Sequence, residues 1–174
     1  KNVPVFIDAE ETWVQDIIDQ WAFEMMLLYN KEKCIVYNTI QMYRHDRLVF
    51  LEECNEKAKQ YNISYGIKLV RGAYMEKERK RADEMDYPSP IQPDKESTDR
   101  DYDIALDYIL KNINYLSLVA GTHNENSSKK LALALENHNI SKDDSRIFFA
   151  QLLGMSDHIS FNLADHNYNV AKYV

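Results

Sequence analysis

Glycine is scarce in this sequence, with four in 174 residues, and no Gly-x-Gly-x-x-Gly follows any apolar run. That disfavours a dinucleotide loop of the Rossmann kind, which needs three glycines close together. Cysteine is nearly missing as well. Cys34 and Cys54 have neither metal-ligand spacing nor the density of a secreted disulfide scaffold, and they read as buried thiols in a reducing, cytoplasmic compartment. No apolar run approaches the roughly 20 residues of a membrane span, and Lys1-Asn2-Val3-Pro4 leads straight into a strand pattern rather than a targeting peptide. Positive charge is in deficit, 21 Lys and Arg against 28 Asp and Glu, for a formal charge of −7 and a pI near 5.2. Nucleic acid is thereby excluded as a general electrostatic partner, which leaves small molecules and proteins. No His-Glu-x-x-His or similar metal spacing occurs, so no metal is expected.

What is present is a regular alternation. Val5-Phe6-Ile7 is a short strand, and the segment to about Tyr29 is a helix whose apolar stripe of Trp13, Ile17, Trp21, Met25 and Leu28, with Val14, Ile18, Ala22 and Met26 beside them, is expected to pack on a sheet. Strand patterns recur at 34–41, 66–70, 116–120, 146–150 and 169–174. Helical patterns recur at 46–60, from Met75, and at 99–112, 127–138 and 156–166. The stretch 86–93 holds three of the four prolines and is expected to be an irregular loop. Six strands alternating with helices imply a parallel sheet in a single domain over 1–174. An open doubly wound sheet and a barrel both satisfy that alternation. The strand ends favour the barrel, because Asp8, Gln41, Arg71, Tyr74, Thr122, His123, Gln151, Lys172 and Tyr173 all stand where strands terminate, and a barrel gathers such ends on one face. The expected fold is therefore α/β, a (β/α)8 TIM-like barrel of which about six βα units are present.

The chemistry centres on Gly66-Ile67-Lys68-Leu69-Val70-Arg71-Gly72-Ala73-Tyr74. Lys68 and Arg71 lie in or beside a buried strand, so each must be paired or must face a polar cavity, and Gly72-Ala73 lets the backbone approach something closely. Three readings compete at this point. Asp8, Glu10 and His123 make a candidate metal site, and Lys68 a candidate Schiff-base lysine, but neither accounts for Gln41, Arg71 to Ala73, and Thr122 with His123 at one mouth. A flat heteroaromatic cofactor with a pyrophosphate accounts for them better, since cations, amides and backbone N–H groups suit its acceptors.

Phe-Ile-Asp-Ala-Glu (6–10), Thr-Ile-Gln-Met-Tyr (39–43), Lys-Leu-Val-Arg-Gly-Ala-Tyr (68–74), Gly-Thr-His-Asn (121–124) and Gln-Leu-Leu-Gly-Met (151–155), in that order, resemble the proline dehydrogenase family nearly end to end. The resemblance implies a distorted barrel that binds FAD, oxidises L-proline to Δ1-pyrroline-5-carboxylate and passes electrons to a membrane quinone. It implies catalytic roles for Asp8 and Tyr74 at the proline site and for Lys68 near flavin N5, where the family often has Arg. It also implies cofactor contacts for Ala9, Gln41, Lys68, Arg71, Gly72, Ala73, Thr122 and His123. The family's later Arg pair, which clamps the proline carboxylate, and its earlier strand with an active-site Lys have no counterpart here. The 174 residues are therefore expected to be a segment of a longer chain, weak or inactive alone, with any peripheral contact at an inner membrane made by parts outside it. The alternative is a non-catalytic barrel fragment, a structural or interaction module in which Lys68, Arg71 and Asp8 form internal ion pairs and no cofactor binds.

Overall fold

The computed structural model describes residues 3–174; Lys1 and Asn2, where the expected opening begins, lie outside the described residues. Twelve elements follow one another: β1 (Val5–Ile7), α1 (Thr12–Tyr29), β2 (Val36–Gln41), α2 (Arg47–Tyr61), β3 (Tyr65–Val70), α3 (Met75–Met85), α4 (Lys95–Lys111), β4 (Leu116–Gly121), α5 (Glu125–Asn137), β5 (Ile147–Leu152), α6 (Asp157–Asp165) and β6 (Val170–Tyr173). The strands form one sheet in the order β1-β2-β3-β4-β5-β6, every pair parallel. That order separates the two folds the alternation left open. A doubly wound sheet must reverse its strand order at a switch point, whereas a strictly sequential one, with right-handed crossovers, carries all its helices on one face and curls away from them. The result is a curled half-barrel, as expected.

Period-2 alternation divides the strand residues between two environments. Tyr65, Ile67 and Leu69 of β3, with Ile40 of β2 and Leu116 and Leu118 of β4, face the helices and form the main core with Leu51, Tyr102 and Ile109. Tyr37, Val119 and Ala150 form a smaller cluster on the concave face, flanked by Phe6, Phe148, Ala171 and Tyr173. Gly66 stands among these inward positions because a Cβ there would come within 2.3 Å of the Val36 carbonyl oxygen. Strand parity also corrects one expectation. Gln151 does not join the mouth: it is fully buried between sheet and α6, donating from Nε2 to the Thr122 carbonyl at 3.2 Å and accepting from the Ser160 hydroxyl at 2.7 Å.

The stripe expected to bury α1 is corrected in part. Ala22 and Met26 of it are buried, with Gln15 and Asp19 beside them, whereas Trp13, Val14, Ile17, Trp21, Met25 and Leu28 are exposed, Trp21 at 63% and Leu28 at 63%. A polar seam decides which face turns inward. Asp19 accepts from Asn38 Nδ2 at 2.7 Å, from Gln15 Nε2 at 2.8 Å and from Arg47 Nη1 at 3.1 Å. A buried carboxylate with those partners outweighs the burial of a few more apolar side chains, since stranding it would cost several kcal/mol.

The seam continues to Asp46, which accepts from Arg47 and from Arg44 with both oxygens. Burial alone would raise its pKa, but the hydrogen bonds from Arg47 and Arg44 outweigh that and hold it well below the usual carboxylate range. A carboxyl depressed on folding contributes stability above its unfolded value and loses it as pH falls through the native one. Stability measured by urea unfolding is therefore expected to decline below about pH 5, and Asp46→Asn to flatten that decline. Because the Asp46 side chain is 41% exposed, the variant should cost only about 1–2 kcal/mol at pH 7.

The fourth helix begins at Lys95, four residues ahead of the expected start, because Asp94 caps it by accepting from the Ser97 N–H at 2.7 Å. It is α4 that packs on β4, α2 and α5. The preceding α3 is held at the mouth instead, where the buried Glu78 accepts from the Thr12 N–H at 2.6 Å and the Thr12 hydroxyl at 2.8 Å, at the start of α1. Arg81 stacks on Trp13 beside it.

Candidate active site

The C-terminal ends of the strands open into a cleft of about 660 Å³. It is lined by Asp8, Ala9, Gln41, Lys68, Arg71, Gly72, Ala73, Tyr74, Thr122 and His123, so every residue given a role by the family resemblance borders one space, whereas Lys172, like Gln151, does not: its ammonium turns to the Met155 carbonyl and Asp157, each at 2.7 Å. Thr39, Glu10, Val70, Lys95, Gly121, Asn124, Leu152 and Tyr173 complete the wall.

Lys68 is at the floor. Its strand position, two residues from the inward Gly66, turns it onto the concave face beside Thr39 of β2 and Val119 of β4. Its side chain is 5% exposed, its ammonium pairs with Asp8, and it lies 4.3 Å from the centre of the Tyr173 ring. Asp8 is 63% exposed and reaches the cation from the open side of the cleft.

Arg71 is a hub on the wall. Nε donates to Asp99 at 2.6 Å, Nη1 to the Thr122 hydroxyl at 2.7 Å and Nη2 to the Ser127 hydroxyl at 3.0 Å, while the guanidinium stacks 4.3 Å over the Tyr102 ring. Five N–H groups less these three leaves two for a ligand. The next residue, Gly72, has φ of +134°, and a Cβ on it would lie 2.5 Å from the Tyr43 ring. Only glycine meets both demands, which exposes the backbone of the 72–74 turn to the cleft.

Tyr74 ends that turn and donates its hydroxyl to Glu10 at 2.8 Å; this bond, and to a smaller extent burial, raises the phenol's pKa. Gln41 donates from Nε2 to the Glu10 carbonyl at 2.9 Å, which leaves its amide oxygen for a ligand. On the opposite wall Thr122 accepts from Arg71, and His123 meets the Ser156 hydroxyl at 2.9 Å. Burial, and then the charge of Lys172, lowers the His123 pKa, so the ring is neutral at pH 7.

Three supports escaped the sequence reading. Asp99 and Ser127, which hold Arg71, belong to helices 28 and 56 residues further on, and no local pattern marks them. Glu10 was weighed as a metal ligand or helix-dipole residue, and instead it fixes Tyr74. Its nearness to Asp8 at a strand end was the available signal.

The donor set fits a flavin dinucleotide. The ammonium of Lys68 and the amide oxygen of Gln41 match the acceptors and the N–H at a flavin's pyrimidine edge, and the free N–H groups of Arg71 match a pyrophosphate.

Known proteins resemble this chain over its whole length. The family model for proline dehydrogenase matches residues 1–174. The chain is 37% identical over 183 residues to "Proline dehydrogenase 1, mitochondrial" of Drosophila melanogaster, covering 99% of this chain and 27% of that protein. It is 38% identical over 178 residues to "Proline dehydrogenase 2, mitochondrial" of Arabidopsis thaliana, covering 99% of this chain and 37% of that one. It thus spans roughly a quarter to a third of the curated relatives' length. Among solved structures, proline utilization A from Bdellovibrio bacteriovorus inactivated by N-propargylglycine superposes with a TM-score of 0.92 at 25% identity, over 99% of this chain and 18% of that one. With a family model matched from first residue to last and an aligned fold behind it, the chain belongs to the proline dehydrogenase family.

Proposed function

We propose that this chain is the greater part of a FAD-dependent catalytic barrel that oxidises L-proline to Δ1-pyrroline-5-carboxylate, with a quinone as final electron acceptor. The observation that carries this reading is the gathering of Asp8, Gln41, Lys68, Arg71, Tyr74 and His123 around one cleft from four different strand ends. When bound, the flavin would supply the two-electron acceptor for hydride from proline C5. The chain's own residues supply orientation and electrostatics. Lys68, desolvated at the floor, presents positive charge where negative charge develops on the acceptor, and its ion pair with Asp8 keeps the side chain aimed. Arg71, its fork fixed by Asp99, Thr122 and Ser127, and the open backbone at Gly72-Ala73 hold the phosphates. Tyr74, steadied by Glu10, covers the substrate ring.

Among the described residues no helix is long and apolar enough to cross a membrane. The reading makes the whole protein cytoplasmic or peripheral to an inner membrane, where it meets its quinone; the two curated relatives carry "mitochondrial" in their names. A second reading is favoured by one observation: both site cations already have internal partners, Lys68 with Asp8 and Arg71 with Asp99, as a cofactor-free structural module would require.

A visible spectrum separates the two. The full-length protein is expected to show flavin bands near about 370 and 450 nm that bleach on adding L-proline. The 174-residue chain alone is expected to bleach weakly or not at all, and to self-associate through the unpaired edges of β1 and β6. A full-length protein purified and reconstituted with FAD that still holds none overturns the enzymatic reading in favour of the module.

A further inference from the structure

The polar seam beneath α1 does more than turn that helix, because its last link touches the site. Gln15 is 2% exposed and makes two bonds through one amide. Nε2 donates to Asp19 at 2.8 Å, and Oε1 accepts from the Glu10 N–H at 2.8 Å. An amide has a donor end and an acceptor end, and in isolation either could face Glu10. Asp19 removes the choice. An ionised carboxylate accepts only, and it is itself held by Asn38 and Arg47, so the NH2 end of Gln15 must face Asp19 and the oxygen must face Glu10.

Glu10 is then fastened on three sides: its N–H by Gln15, its carbonyl by Gln41 and its carboxylate by Tyr74. Gln15 does not line the cleft and reaches it only through Glu10. We propose that Gln15, oriented by Asp19, is a positioning residue that sets the Glu10 backbone and through it fixes the Tyr74 hydroxyl over the substrate side of the cleft. The substrate part of this statement rests on the proline reading; the relay from Gln15 to Tyr74 does not.

The experiment uses the full-length protein labelled with ring-carbon tyrosine, the Tyr74 signal being assigned by its loss in Tyr74→Phe. Gln15→Met conserves volume and removes both bonds. Gln15→Asn keeps a buried amide beside Asp19 but is one methylene too short to reach Glu10 as well, and serves if the methionine variant does not fold. In either variant the Tyr74 phenol titration is expected to move down toward the ordinary tyrosine value, because the Glu10 bond that raises it is released. With L-proline, KM is expected to rise about tenfold with kcat within about twofold and with flavin content unchanged. In a Tyr74→Phe background the same Gln15 change is expected to add nothing further. An unchanged Tyr74 titration in whichever variants fold overturns the proposal, as does a KM effect that persists in full without the Tyr74 hydroxyl. If the titration moves but no proline is oxidised, the relay stands and the proline reading falls.

Discussion

Replacing Lys68 by methionine is expected to lower proline-dependent flavin reduction by about 10²–10³-fold, the cost of removing one preorganised charge from a desolvated site. The fold should barely register the change. Methionine fills the space of the lysine stem on the concave face, and the partner left behind, Asp8, is 63% exposed and returns to water at little cost. The reverse substitution is not equivalent. Asp8→Ala would leave a side chain only 5% exposed without its carboxylate partner, held by its contacts with the rings of Tyr173 and Phe6. Lys68→Met thus separates chemistry from stability: reduction rates in stopped flow should collapse while the urea midpoint stays within experimental scatter. A reduction rate within about threefold of the parent would remove Lys68 from the reaction.

Arg71→Ala is expected to do the opposite and damage both. Three hydrogen bonds and a stacked ring meet at that guanidinium, and its loss takes one partner each from Asp99, Thr122 and Ser127 around a half-buried gap. A loss of about 3 kcal/mol is expected, or roughly 6–12 °C in Tm for a domain of this size. The flavin-to-protein ratio after gel filtration should fall at least about tenfold. Lysine should not restore it. A point charge on a flexible stem reaches one of the three partners at a time, and it cannot stack on Tyr102 as a planar fork does. Full flavin retention in Arg71→Lys would contradict the hub.

Much of this was legible because the two periodicities are clean. The strands at 65–70 and 116–121 read as buried apolar runs with an ionisable or polar terminus, and in a parallel barrel that pattern alone puts the terminus at the mouth. Legibility stops where a second element decides. Helix α1 carries apolar residues on more than one face, and the choice between them was made by Asn38 and Arg47, which meet Asp19 from 19 and 28 residues away. Gln151 looked like the other strand-end residues, yet one step of register separates the cleft from the helix side, and a terminal glutamine carries no mark of its parity. The two helices between β3 and β4 were foreseen, but not that the first would be tied by Glu78 to the start of α1.

The strictly sequential strand order has a further consequence. Each strand is hydrogen-bonded only to the strand before it and the strand after it, so every pairing in the sheet joins strands one connection apart. Loop-closure entropy for the sheet is then met in instalments, one βα unit at a time, and no strand pairing spans more than one connection. The same neighbour-by-neighbour logic means that a cut in the 139–146 connection between α5 and β5 would cross no strand and thread no loop. Two separately made pieces could meet there edge to edge, β4 against β5, and rebuild the sheet without either having to unfold.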